Sequence, residues 1–253
     1  MIYVKNKKDI ELMRESCRLT KMALNFVGEH IKPGITTGEL DKIAFEFLKE
    51  HKAIPSFLNY NGFPASICSS VNDEVVHGIP GKRVILDGDI VSIDIGAYLN
   101  GFHGDCAKTF FVGNVSEEAR KLVNVTRQSF YEGIKMARAG NRIGDISNAI
   151  ETYVESFGYS VVRDLVGHGI GKALHEDPSV PNFGKAGRGA RLIPGMTLAI
   201  EPMINCGKYN VYTEDNNWTV KTCDGKLSAH YENTILITEG EPEILSQAPD
   251  IAL

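Results

Sequence analysis

Polar Asn6-Lys7-Lys8-Asp9, followed by apolar Ile10, Met13, Cys17, Met22 and Leu24, predicts a capped first helix that stops near Lys32-Pro33-Gly34. Thr36 and Glu39 form a capping-box pattern opening a second helix, with Leu40, Ile43, Phe47 and Leu48 along one face. A β-rich stretch follows over about residues 67–112. Ser116 then caps a third helix, its apolar face carrying Leu122, Val125 and Phe130, which runs to Ala139-Gly140. A fourth helix opens around Gly144-Asp145-Ile146, and from about Val161 the pattern is β-rich again.

Two helices followed by strands therefore occur twice. A shift of 106 residues lays Gly34 on Gly140, Gly38 on Gly144, Glu39 on Asp145, Leu40 on Ile146 and Phe47 on Tyr153. A shift of 107 lays residues 87–94 on 194–201, so that Asp94 and Glu201 fall in register. The repeat predicts an α/β fold of two pseudo-equivalent halves, roughly 5–113 and 114–240, whose sheets meet around one central site. No low-complexity linker divides them, so a single domain over 1–253 is expected.

Asn100-Gly101 between two apolar runs is a strong short hairpin signal. With that turn, opposed residues sum to 201, so Asp94 faces Ala107 and Asp105 faces Gly96. The two acids then share one face as diagonal neighbours, about 7–8 Å apart at Cα. On strands carrying Ile93, Ile95, Phe110 and Phe111, they would repel unless a cation neutralises them or that face is wet. Downstream, His168 stands between glycines in Gly167-His168-Gly169, which strip steric bulk from around its ring, and Glu201 and Glu232 each lie alone in apolar, strand-like runs. A single buried acid usually has a mundane partner, but four such acids and one imidazole together suit divalent Mn, Fe, Co or Zn. Four negative charges balance two divalent ions, an arrangement suited to hydrolysis.

Composition narrows the setting. The 253 residues carry 27 Lys+Arg against 32 Asp+Glu, a net charge of −5, with 43% hydrophobic residues. No basic run offers a footprint for nucleic acid, and no apolar run is long enough to span a bilayer. The start lacks the apolar core of a secretory signal, and five scattered cysteines argue against a disulfide framework, so a cytoplasmic setting is expected.

With these residues in view, the chain resembles the short, bacterial-like type I methionine aminopeptidases over about residues 5–240. The segments that carry the resemblance are Lys-Pro-Gly-Ile-Thr-Thr (32–37), Asn-Tyr-Asn-Gly-Phe-Pro (59–64), Val-Val-His-Gly-Ile-Pro (75–80), Ser-Ile-Asp-Ile-Gly (92–96), Gly-Asp (104–105), Gly-His-Gly-Ile-Gly (167–171), Leu-Ala-Ile-Glu-Pro (198–202) and Tyr-Glu-Asn-Thr (231–234). It implies the pita-bread fold, two pseudo-symmetric halves around a central curved antiparallel sheet. It implies that Asp94, Asp105, His168, Glu201 and Glu232 hold two divalent metal ions. Asp105 and Glu232 would bridge both, and a water between the ions would attack the carbonyl after an initiator methionine whose following residue is small. Glu201 is then the proton shuttle, and His77 and His175 steady the scissile amide. Tyr60, Phe63, Cys68 and Trp218 would line the methionine pocket. Trp218, the only tryptophan, lies in a polar stretch that suits the rim of a cleft. A monovalent cation near Asn72 and Ser228, nascent-chain substrates and transient ribosome contact are further implications, and a monomer is expected.

Three residues depart from that family's pattern: Leu174 where Phe is frequent, Asn233 where His is common, and Cys106 in place of Thr or Ser. The first two bear on the pocket wall and on the surroundings of Glu232. Two other readings of the same ligand pattern remain. Xaa-Pro aminopeptidases and prolidases share it but normally carry an extra N-terminal domain, for which a first cap at Asn6 leaves no room. Non-catalytic pita-bread binding modules are expected to have lost ligands, whereas all five stand here.

Overall fold

Asn6 does start the first helix, α1 (Lys7–Glu29): its Oδ1 accepts from the Asp9 amide at 3.0 Å, and Asp9 Oδ2 accepts from the Asn6 amide at 3.2 Å. The same reciprocal box, Thr36 with Glu39, opens α2 (Thr37–Glu50), and Ser116 caps α3 (Glu117–Ile134). Helix α3 ends short of the expected Ala139-Gly140. Its last segment tightens into turns, with the Met136 amide on the Gly133 carbonyl and the Ala137 amide on that of Ile134, each at 2.9 Å. Helix α4 spans Ile143–Glu155. The computed structural model describes residues 1–247.

The strands that matter are β1 (Ile67–Val71), β2 (Ile90–Leu99), β3 (Phe102–Phe111), β4 (Gly167–Gly169), β5 (Glu176–Val180), β6 (Thr197–Ile200), β7 (Met203–Asn205) and β8 (Ser228–Leu236). They form one antiparallel sheet in the order β2-β3-β8-β6-β4-β5, with β1 alongside β2 and β7 alongside the start of β8. Helices α1 and α2 cover the β2/β3 half through Leu24, Val27, Leu40, Ile93, Ile95 and Cys106. Helices α3 and α4 cover the β6/β8 half through Leu122, Phe130, Ile146, Leu198, Ile200 and Ile235.

The duplication is written in backbone hydrogen bonds. The Gly34 amide bonds the Ile85 carbonyl and the Gly140 amide that of Leu192; the Gly38 amide bonds Gly81 and the Gly144 amide bonds Arg188. Each pair recurs at a shift of 106 or 107, the shifts found in the sequence. Even the helix-opening acid repeats, since Asp145 Oδ2 accepts from the Arg142 amide as Glu39 does from Thr36. Among the described residues, no helix is long and apolar enough to cross a membrane.

Candidate metal centre and substrate pocket

The Asn100-Gly101 turn has φ of +54° and +88°, the left-handed pair of a type I′ hairpin that asparagine and glycine tolerate. It sets the expected register, Asp94 against Ala107 and Asp105 against Gly96. Two cross-strand rows on the face away from the helices then gather the acids. The first runs Cys68, Asp94, Ala107, Glu232, and one step beyond the last β6 pair it reaches Glu201. The second runs Gly96, Asp105, Thr234, Ala199, His168. Small Gly96, Ala107 and Ala199 alternate with the ionisable side chains and leave room between them.

Donor atoms of Asp105, His168 and Glu232 lie within 4.8 Å of one another. His168 Nε2 is 3.9 Å from Asp105 Oδ2 and 3.6 Å from Glu201 Oε1. Asp94 Oδ1, Asp105 Oδ1 and Glu232 Oε1 are buried without a hydrogen-bond partner. Burial pushes the Asp94 carboxyl up to about 7. Asp105, Glu201 and Glu232 rise well above the carboxylate range, first by burial and then by the charge of the neighbouring acids. Burial also lowers His168 to about 3, keeping its imidazole neutral. Orphaned oxygens on mutually repelling buried acids, beside a neutral imidazole, are what a divalent cation satisfies. The donor set fits the metal.

These donor side chains open onto a cavity of about 210 Å³ that is also lined by Phe57, Tyr60, Phe63, Cys68, Leu174 and Trp218. Trp218 meets Phe63 edge-on, ring centroids 5.1 Å apart. His77 enters from a left-handed backbone position, φ +58°, which costs a non-glycine residue about 1 kcal/mol and which the fold imposes. His175 lies beside His168, ring centroids 4.1 Å apart, and its Nδ1 is 2.8 Å from the Tyr60 hydroxyl. Burial lowers His77 to about 4. All eleven residues predicted from the sequence thus line one cavity.

Sequence reasoning missed three neighbours. Phe57 and Asn61 line the cavity. His230, fully buried with both ring nitrogens unpartnered, places Nε2 3.8 Å from Glu201 Oε2. The available signal was its spacing of two from Glu232, which puts both on one face of a strand. The glycines around His168 have a different reason from clearance of its ring. A Cβ on Gly167 would come within 2.4 Å of the Ala199 carbonyl oxygen, and one on Gly169 within 2.2 Å of that of Asp177, so the neighbouring strands demand them. Asn233 and Cys106 oppose each other across β8 and β3, on the helix side. Asn233 Oδ1 accepts from Ser246 Oγ at 3.1 Å, so both departures lie on the face away from the donor cluster. Leu174 is a buried part of the cavity wall.

The profile of metallopeptidase family M24 matches residues 11–239. A methionine aminopeptidase of Clostridium acetobutylicum is 57% identical, covering 97% of this chain and 99% of that protein. Methionine aminopeptidase 1 of Bacillus subtilis is 55% identical over 98% and 100%. The crystal structure of methionine aminopeptidase from Rickettsia prowazekii superposes with a TM-score of 0.96 at 42% identity, over 98% of this chain and all of that one. With family, length and fold in agreement, the chain belongs to metallopeptidase family M24, within its methionine aminopeptidases.

Proposed function

We propose that this chain is a metallo-aminopeptidase that hydrolyses the bond after an N-terminal methionine when the second residue is small. The observation that carries the proposal is a five-residue donor set, with Asp105, His168 and Glu232 buried, opening directly onto an aromatic-walled cavity. Tyr60, Phe63 and Trp218 supply ring faces and edges to an unbranched thioether, and Cys68 and Leu174 close the wall against polar or β-branched side chains. Asp94, Asp105, His168, Glu201 and Glu232 would hold two divalent ions, which when bound would supply Lewis acidity and a nucleophilic water near neutral pH.

The chain's own residues do the rest. His168 Nδ1 lies 2.8 Å from the Gly169 carbonyl, which can only accept, so Nδ1 carries the proton and Nε2 presents a lone pair to the cations. Glu201 accepts a proton from the attacking water and returns it to the leaving amine. Neutral His77 and His175 donate to the amide oxygen as charge develops on it, a contribution commonly worth a few kcal/mol. The substrates are N-terminal methionine peptides, nascent chains among them. In this reading the enzyme works as one cytoplasmic catalytic unit, a monomer with transient ribosome contact.

The test strips the protein with chelator, restores Mn, Fe or Co anaerobically, and measures methionine release from Met-Ala-Ser and Met-Leu-Ser beside an Ala-Pro peptide. Metal-dependent cleavage of Met-Ala-Ser alone is expected. Cleavage only before proline would overturn the substrate assignment, and no turnover by folded, metal-loaded protein would overturn the enzyme itself.

A further inference from the structure

Two histidines, His168 and His175, stand side by side in this cavity, and their Nδ1 atoms have chemically different partners. His168 Nδ1 faces a carbonyl, and His175 Nδ1 faces the phenolic hydroxyl of Tyr60 at 2.8 Å. A hydroxyl can donate or accept, so the direction of the second bond has to be argued. A phenol is a stronger acid than a neutral imidazole N–H, and an imidazole nitrogen is a stronger base than a phenolic oxygen. The favoured pairing is therefore O–H donating to Nδ1. Tyr60 Oη makes no other hydrogen bond among the described residues that would compete for its proton. His175 then carries its own proton on Nε2, the tautomer opposite to that of His168.

We propose that Tyr60 is a positioning residue that fixes the tautomer of His175, so that two adjacent imidazoles present a lone pair and an N–H respectively to the same cavity. This rests on the reading of the site given above and adds a role to one wall of the methionine pocket. The consequence is a division of labour. His168 Nε2, bare, faces Asp105 and Glu201 and suits a cation. His175 Nε2–H suits a carbonyl oxygen and cannot ligate metal without losing its proton or turning over. Without the Tyr60 hydroxyl, His175 is free to carry its proton on Nδ1. Its Nε2 lone pair would then repel the amide oxygen and compete for the ions.

The hydroxyl and the ring of Tyr60 can be separated by Tyr60→Phe, which keeps the apolar wall. Two readouts decide the matter. In metal-free protein labelled with ¹⁵N-histidine, long-range ¹H–¹⁵N correlation of His175, assigned by its loss in His175→Gln, should show a protonated Nε2 and a bare Nδ1. Tyr60→Phe should shift that pattern towards the other tautomer. In metal-loaded enzyme, Tyr60→Phe should lower kcat by about tenfold or more, a large part of the loss from removing an oxyanion donor outright, and leave KM for Met-Ala-Ser within about twofold. A wild-type His175 with a bare Nε2 overturns the proposal, and so does a Tyr60→Phe protein with both tautomer and kcat unchanged. The nitrogen spectrum is readable even if no peptide is ever cleaved, so failure of the enzymatic reading and failure of this one are distinguishable.

Discussion

Replacing Asp94 by asparagine should stabilise the metal-free protein and destabilise the metal-loaded one. Asp94 is half-buried on the first cross-strand row with its Oδ1 shut off from solvent, and desolvation raises its carboxyl from 3.8 to about 7. A group protonated more readily in the folded state contributes stability below its unfolded pKa, and that stability is lost as pH rises through the folded value. At pH 8 both states are ionised and the raised carboxyl costs the folded metal-free protein about 4 kcal/mol; at pH 5 the cost is about 2 kcal/mol or less. Asparagine has a similar shape and no charge to desolvate, so metal-free Asp94→Asn should exceed wild type by up to those amounts, with the gap widening from pH 5 to pH 8. Divalent metal should reverse the order, because it neutralises the wild-type carboxylate and loses a charged ligand in the variant. Urea unfolding at both pH values, with chelator and then with Mn, measures all four differences. A gap independent of pH without metal, or equal stabilisation of both proteins by Mn, would refute the reasoning.

Gly169→Ala should cost several kcal/mol in thermal unfolding and weaken Mn binding, because its Cβ would sit 2.2 Å from a backbone oxygen and move the acceptor of His168 Nδ1; near-wild-type behaviour in both would show that β4 and β5 can separate freely. Lys5→Met leaves the buried Glu176 carboxylate, bonded at 2.6 Å, without its partner, and urea unfolding should show a loss of about 3–5 kcal/mol that Lys5→Met/Glu176→Met largely restores. Ala107→Val places two methyl groups between Asp94 and Glu232, so the protein should fold at a cost of about 1–3 kcal/mol while its calorimetric affinity for Mn falls at least tenfold; unchanged affinity would move the ions away from that row.

How much of this was legible depended on whether a local signal fixed the geometry. The register of β2 and β3 is set by Asn100-Gly101, two residues whose backbone preference dictates every pairing up to Asp94 and Asp105. Helix starts at Asn6, Thr36 and Ser116 were equally local. The placing of Glu232 beside Ala107 was not, because β3 and β8 are joined by no turn and their register comes from packing between the two halves. His230 escaped because an imidazole in an apolar run reads as core, and only the meeting with Glu201 from another strand gives it an electrostatic setting. The glycines around His168 were misread for the same reason: the atoms that exclude a side chain there belong to Ala199 and Asp177. His175 directly precedes strand β5, although Glu176-Asp177-Pro178 carries the composition of a turn.

The duplicated scaffold accounts for the acids better than for the chemistry. Asp94 and Glu201 are equivalent at a shift of 107, each at a corresponding point of a corresponding strand. Carrying the same shift across the neighbouring strands, Ser92 corresponds to Ala199, so the partner of Ser92 on β1, Ser70, corresponds to His168 on β4. Ser70 is engaged elsewhere: its Oγ accepts from the Gly78 amide at 3.1 Å and secures the segment that carries His77. One half therefore places an imidazole of the donor cluster at this position, and the other a hydroxyl that holds the segment of His77. Two symmetric carboxylate pairs would hold cations without preferring a direction of approach. With an imidazole on one side only, and the Cys68, Phe63 and Trp218 wall on the other, the cavity offers different chemistry at its two sides. That broken symmetry turns a cation site into an aminopeptidase.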